Sequence, residues 1–416
     1  MPLPSSYSRE PEPAEQQFTK PFYIFFLVMP MGISQGFVTV ALPFLLTKNG
    51  FPVALTAGIV AIGLSANLWR FMWGPVVDMS LSLRKWFWIG ISASIALLLL
   101  LCFIPFTVKG AGLLSIIVFT SQVAATITLL PTNGFMAKSI KQNRKGEASG
   151  WYQAGSLAGV GFGGGFGLWL ATHSSLAMAG IVLSVASILF ALVILLIRDI
   201  PHYKEKTMLQ EITVMGKGIF AMIKLPVALF VIILITMPIG TGAMANLWSA
   251  VANDWKTGAD TVVLITGLLS GAVSAVGCVA GGLIADRWGV WVAYLGSGII
   301  CALVTMLMAL MPYEPAVYIA GVLTYGFSTG LIYAAFTAII FFVIGKRHVA
   351  TKFSLLASLG NLPVIYMTAF DGWMHDKYNS RYMLLAEAIA GILFVIIFFL
   401  ILKRMRYKKL IPAVID

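Results

Sequence analysis

Twelve apolar runs, each long enough to cross a lipid bilayer as a helix, recur along this 416-residue chain. A hydrocarbon core about 30 Å thick takes about 20 residues per helical crossing. The runs lie near residues 22–47, 53–77, 86–106, 111–136, 148–171, 175–197, 226–250, 261–285, 290–311, 315–344, 351–371 and 381–403. Strands are excluded, because open sheet edges are not tolerated in lipid and runs of this length without two-residue alternation do not suit a barrel. Composition agrees: 59% of residues are hydrophobic and 11% charged, against about 25% charged in a soluble domain. The expected fold class is an all-α membrane protein with twelve transmembrane helices, and its first partner is the lipid bilayer.

The net charge of +12 reports orientation. When the loops are assigned alternately to two sides, 23 of the 28 Lys and Arg fall on the side of the N-terminus. Only Lys48, Lys109, Lys256, Lys377 and Arg381 fall on the other. The positive-inside rule then predicts both termini in the cytoplasm, and the expected setting is a multi-pass position in a bacterial inner (plasma) membrane. The basic residues form no single stripe, so no nucleic-acid partner is expected. Cys102, Cys278 and Cys301 lie within apolar runs, where they behave as small hydrophobes. His173, His202, His348 and His375 all fall in loops. No metal site, catalytic residue or cofactor is predicted.

Residues 1–20 carry Pro and Glu and lack the basic start of a signal peptide. They read as a disordered cytoplasmic tail, and 404–416 as a second. Bundles at 21–197 and 225–403 flank a linker at 198–224, in which Leu209, Ile212, Met215, Ile219 and Met222 recur at helical spacing. That segment is either an amphipathic helix on the membrane surface or a connector packed under the bundle.

An internal repeat defines the two bundles. Met29-Pro-Met-Gly32 recurs as Met237-Pro-Ile-Gly240, and Gly74-x-x-x-Asp78 as Gly282-x-x-x-Asp286, both at an offset of 208 residues. A looser echo sets Ala148 to Ser156 against Ala350 to Ser358. Two pseudo-symmetric six-helix bundles related by an axis along the membrane normal, with a central site, are a known transporter plan. Such a chain is expected to act as a monomer on a small-molecule solute.

Both copies of the Gly-x-x-x-Asp motif fall in short turns on the cytoplasmic side. Gly282-Leu-Ile-Ala-Asp286-Arg287-Trp-Gly289 resembles the G-x-x-x-D-R-x-G signature of the major facilitator superfamily; the first copy keeps Gly74 and Asp78 but displaces its basic pair to Arg84 and Lys85. A carboxylate is favoured beside a helix N-terminus. The ends on offer are those of helix eleven near Thr351, for Asp78, and of helix five near Glu147, for Asp286. These residues are expected to latch the cytoplasmic gate, with Arg287 pairing to Glu147.

Gly155, Gly159, Gly163 and Gly167 leave one face of helix five bare. This reads as close helix packing, with a partner face on helix eight at Gly267, Gly271 and Ala275, rather than as a dinucleotide loop, because no strand precedes it. Neutral polar and aromatic residues that fall mid-segment are the candidate lining of a hydrated substrate cavity: Gln35, Asn67, Gln122, Asn133, Gln153, Asn246, Trp248, Tyr325, Tyr333 and Asn361. For each, a helix-to-helix hydrogen bond is the structural alternative. Arg70, read as ending helix two near the cytoplasm, either meets an anionic substrate or snorkels. Glu387 in helix twelve and Asp371 at the outer, solvent-reachable end of helix eleven are the candidates for proton coupling, with Tyr382 or Arg381 available to satisfy Glu387.

Arg70-Phe-Met-Trp-Gly-Pro-Val-Val-Asp78 resembles the K-F-L-W-A-P-L-V-D stretch of the peptide, acetyl-CoA and drug transporter family, a branch of the superfamily. Ala350-Thr-Lys-Phe-Ser-Leu-Leu-Ala-Ser-Leu is similar to the A-T-Q-F-A-L-L-S-A-L run of AmpG-type permeases, and Gly150-Trp-Tyr-Gln-Ala-Gly-Ser and the acidic Glu387 agree. The resemblance implies a secondary transporter working by alternating access, with muropeptides, siderophores or acyl-CoA among its solutes and protons as a coupling partner. In helix four, Asn133 stands where the family commonly carries a carboxylate. A polytopic membrane enzyme or a receptor on a transporter scaffold are the rival classes. Alkaline phosphatase fused after Lys109 or Lys256 is expected to be active, and fused after Gln142 or Tyr407 inactive. The inverse pattern would reverse the orientation.

Overall fold

The structure, a computed structural model, describes residues 19–198, 208–345 and 348–407. The predicted N-terminal tail up to residue 18, the polar part of the linker at 199–207 and the C-terminal tail from 408 lie outside the described residues.

Among the described residues every regular element is helical. Among those residues ten helices are long and apolar enough to cross a membrane. They are helix one (Tyr23–Leu46), three (Leu83–Phe103), four (Val108–Ser139), five (Gln142–His173), six (Leu176–Leu196), eight (Leu264–Trp288), nine (Val290–Leu310), ten (Pro315–Ile344), eleven (Val349–Lys377) and twelve (Ser380–Met405). Helix two, Val53–Met79, is 27 residues long. Local signals mark the starts: Ser82 and Ser175 accept from the backbone N–H of Lys85 and Met178, and Pro226 and Pro315 sit at first turns.

Helix seven departs from the expected continuous span. It is regular only over Pro226–Ile235, then runs irregularly through Gly240 and Gly242, at φ 54° and 75°, into short turns at Ala243–Asn246 and Trp248–Val251. Left-handed backbone at two closely spaced positions requires glycine and cannot continue a helix. The same Met-Pro-x-Gly motif stays inside a regular helix in the first half, Tyr23–Gly36, where Ser34 stands in place of the second glycine. Polar groups freed by the break find partners on helix eleven: Tyr366 Oη donates to the Thr236 carbonyl (2.9 Å), and Asn246 Nδ2 to Thr368 Oγ1 (3.0 Å). Helix eleven is itself interrupted at Gly360 and Asn361. Irregular backbone at this depth is tolerated where protein or a cavity covers it. The linker helix, Met208–Lys224, meets helix seven at 87°.

Three principal apolar clusters show how the halves are joined. The largest draws on both halves at the end carrying Asp78 and Asp286, and includes Val77, Leu83, Phe135, Ile140, Ala148, Ala285, Trp291, Phe341 and Phe353. At the opposite end each half keeps its own, around Phe37, Leu46 and Leu114 in the first and around Trp248, Trp255 and Tyr318 in the second. Helix five packs on helices eight and ten, and helix two on helix eleven.

The glycine ladder of helix five does not face helix eight. A Cβ at Gly155 would meet the backbone of Phe25, at Gly159 that of Met29 and Gly32, and at Gly163 that of Ile33. The ladder therefore seats helix one within its own half, while Gly271 meets nothing within 4 Å. Contact between the halves uses the preceding turns of helix five, Gly146 and Gly150, against Gly282 and Cys278. Lipid offers no hydrophobic drive for helices to associate, so backbone approach of this kind supplies the packing. Gly159→Val is expected to lower stability by about 1–3 kcal/mol through overpacking, and Gly271→Ala to leave it unchanged, as read by thermal unfolding in detergent.

Candidate functional site

The first turn of any helix leaves backbone N–H groups without partners inside the helix. At the joined end, each half supplies that partner to the other. Asp286 accepts from the Gly146 and Glu147 N–H groups at the start of helix five, both at 2.6 Å, one bond to each carboxylate oxygen. Asp78 accepts from Ala350 N–H (3.3 Å), Thr351 N–H (2.9 Å) and Thr351 Oγ1 (2.9 Å) at the start of helix eleven. Gly74 and Gly282 lie one turn before these aspartates on the same helix face. A side chain at Gly74 would strike the Thr351 backbone, and one at Gly282 the Gly146 carbonyl. The four-residue spacing therefore has a plain cause: the glycine admits the partner helix and the aspartate caps it.

Arg287 does not pair with Glu147. Its guanidinium lies over the Trp288 ring, and Glu147 pairs with Arg144 on the preceding turn (2.6 Å). With its backbone N–H held by Asp286, Glu147 finds a cation three residues away before one on the other half.

Beyond the latch, between the halves, lie two adjoining cavities of about 570 and 300 Å³. Gln35, Gln153, Phe336, Asn361 and Val364 line both. The larger also takes Asn67, Arg70, Tyr152 and Phe353; the smaller takes Tyr333, Tyr294 and the broken stretch of helix seven at Met237, Ile239, Gly240 and Thr241. Gln153 Nε2 crosses the gap to Thr337 Oγ1 at 2.7 Å. Arg70 is not at the end of helix two: it sits eight residues before Asp78, about 12 Å along the helix at 1.5 Å per residue, and is 7% exposed.

The other predicted lining residues lie elsewhere. Gln122 is buried and bonds Ser34 Oγ at 3.2 Å, a tie between helices four and one. Asn133 is buried with neither side-chain atom partnered. Asn246 is exposed and bonds helix eleven. Trp248 packs edge-on against Tyr325 with ring centroids 5.4 Å apart, and Tyr325 Oη donates to Glu387 Oε1 at 2.9 Å.

This bond and the burial of Asp371 overturn two expectations. Neither Tyr382 nor Arg381 satisfies Glu387; Arg381 lies instead over the Tyr313 ring. Asp371 is not reached by solvent, at 0% exposure; helix twelve and the Ala243–Asn246 turn of helix seven pack against this part of helix eleven. Both Asp371 oxygens and Glu387 Oε2 lack hydrogen-bond partners, and the two carboxyls lie within electrostatic reach of each other.

Sequence reasoning passed over Tyr152, which lies near the start of its apolar run, and Phe336 and Phe353, which carry no polarity anomaly. It also passed over the Gly240-Thr-Gly242 break, whose signal was the second glycine. Among the described residues no cluster of three His, Cys, Asp or Glu side chains is arranged to hold a metal ion.

Residues 24–368 match the Major Facilitator Superfamily. The chain belongs to that family. Among curated proteins none matches it in sequence. In fold this Major Facilitator Superfamily protein is similar to the E. coli fucose:proton symporter FucP, solved as a point variant, with a TM-score of 0.69 over 91% of this chain and 98% of that one at 11% identity. At that identity the likeness is one of fold alone.

Hydrogen bonds to a charged group contribute about 1.5–3 kcal/mol each. In Asp286→Ala, maleimide labelling of a cysteine placed at Ala285, which is 4% exposed, should therefore rise by at least about tenfold. Asp78→Ala should do the same, and unchanged labelling in both would show that the caps do not hold this end closed.

Proposed function

We propose that this chain carries a small or medium-sized organic solute across a bacterial plasma membrane by alternating access, the first six helices rocking against the last six. The observation that carries this reading is the paired cap. Two pseudo-symmetric carboxylate-to-helix contacts close one end of the interface, and the cavity lies beyond them, bordered by the shared apolar cluster at Met31, Leu129, Tyr152 and Phe353. With the latch face cytoplasmic, as the positive-inside placement of Lys and Arg supports, this is an outward-facing arrangement. Breaking two caps and one shared cluster is a discrete event, which suits a two-position mechanism.

A cavity of this size suits a drug-sized ligand. Siderophores, muropeptides and acyl-CoA thioesters, the solutes suggested by the AmpG-like stretches at Arg70–Asp78 and Ala350–Leu359, are the candidates. We place proton coupling at Asp371 and Glu387. Two carboxyl groups this buried, with the Tyr325 hydroxyl on Glu387 as the one donor recorded for the pair, are stable when a proton is shared. Their position behind the broken part of helix seven would let solute binding reach them through Trp248 and Tyr325. FucP is a fucose:proton symporter, and its shared architecture is compatible with such coupling.

Proteoliposome counterflow with anhydro-muropeptides, ferric siderophores and CoA thioesters is expected to show exchange of at least one class, and ligand binding without flux would favour a receptor. For an exchanged solute, Glu387→Gln and Asp371→Asn should abolish uphill accumulation driven by an inward proton gradient while retaining exchange. Accumulation at wild-type levels in both variants would remove these residues from coupling.

A further inference from the structure

Among the described residues that line the two adjoining spaces, Arg70 is the one that carries a formal charge, and none is Asp, Glu, Lys or His. Arg70 is 93% out of solvent, its Nε has no hydrogen-bond partner, and among the described residues no carboxylate pairs with it. Tyr152 stands beside it in the cavity wall. A guanidinium stays protonated in any protein environment, so this charge cannot be relieved by losing a proton.

Snorkelling does not account for it. A snorkelling arginine runs its stem along apolar surface to put its head in interfacial water. Arg70 lies two turns inside helix two and faces the cavity, whereas Trp69, Phe71, Met72 and Trp73 hold the exposed side of the same turns. The guanidinium presents a fork of N–H donors whose geometry matches the paired oxygens of a carboxylate or phosphate. Around it stand amide groups from Asn67, Gln153 and Asn361 and the rings of Tyr152, Phe336 and Phe353.

We infer that the solute is an organic anion whose carboxylate or phosphate docks on Arg70, with its apolar body against Phe336 and Phe353. This deepens the transport reading and rests on it for the word solute, but the anion site itself can be tested without flux. Placing the anion in the middle of the cavity, two turns from the Asp78 cap, also puts the counter-ion on the helix that must part from helix eleven when the gate opens.

The test is thermal unfolding of the purified full-length protein in non-ionic detergent free of anionic lipid, titrated with benzoate, phenyl phosphate and their neutral counterparts benzamide and benzyl alcohol. At least one anion should raise the unfolding temperature of the wild type in a saturable manner, and which one does so separates carboxylate from phosphate recognition. The neutral compounds should not. Arg70→Gln should remain monodisperse and lose the response. Arg70→Lys, which keeps the charge but not the fork, should need at least tenfold more ligand. No shift of the wild type by either anion, equal shifts from the neutral compounds, or an undiminished shift in both variants overturns the inference. Counterflow of a neutral or cationic solute that survives Arg70→Gln would overturn it while leaving transport intact. An Arg70-dependent anion response with no flux of any solute would do the reverse.

Discussion

Backbone N–H groups at the start of a helix must find acceptors, and here each half of the molecule answers that need in the other. Asp286 caps helix five and Asp78 caps helix eleven, each from a helix whose preceding glycine lets the partner backbone come close. The rest of the interface is arranged around these two points. They gather one apolar cluster from both halves at their own end and leave two separate clusters at the other. The cavity is the space that results.

The symmetry of the caps contrasts with the asymmetry of what lies beyond them. Helix one runs regularly through its Met-Pro-Met-Gly turn, seated on the glycine ladder of helix five; helix seven unwinds at the equivalent turn and borrows partners from helix eleven. The first half contributes the buried cation Arg70, and the second the buried acids Asp371 and Glu387. Opposite charges therefore sit in different halves and do not neutralise each other. In a low-dielectric interior such a separation persists only where ligands, protons or conformational change supply the missing partners.

Several readings were legible because a local pattern carried them. Asp78 and Asp286 announced themselves by a repeated spacing whose partner helices followed from the symmetry. Gln35, Asn67, Gln153, Tyr333 and Asn361 were anomalies of polarity inside apolar runs, and the structure brings them to one space. The same criterion misplaced Gln122, Trp248 and Tyr325, since a polar group in lipid is equally satisfied by a neighbouring helix. Asp371 was read as exposed from its place near a helix end, but burial depends on which helices close over that end. Arg287 was assigned a distant partner when its neighbouring Trp288 and the nearer Arg144 took the contacts.

Sequence alone determined the all-helical class, the order and length of most crossings, and the division into two related halves. Lipid acts on each residue's polarity in turn, so hydropathy along the chain already contains that answer. Tertiary structure decided which face of each helix meets which neighbour: that the glycine ladder holds helix one and not helix eight, that helix seven breaks, and that Arg70 points inward without a counter-charge. Between membrane helices, association depends on the close fit of small residues and single hydrogen bonds, and no chain-local periodicity records who the partner is.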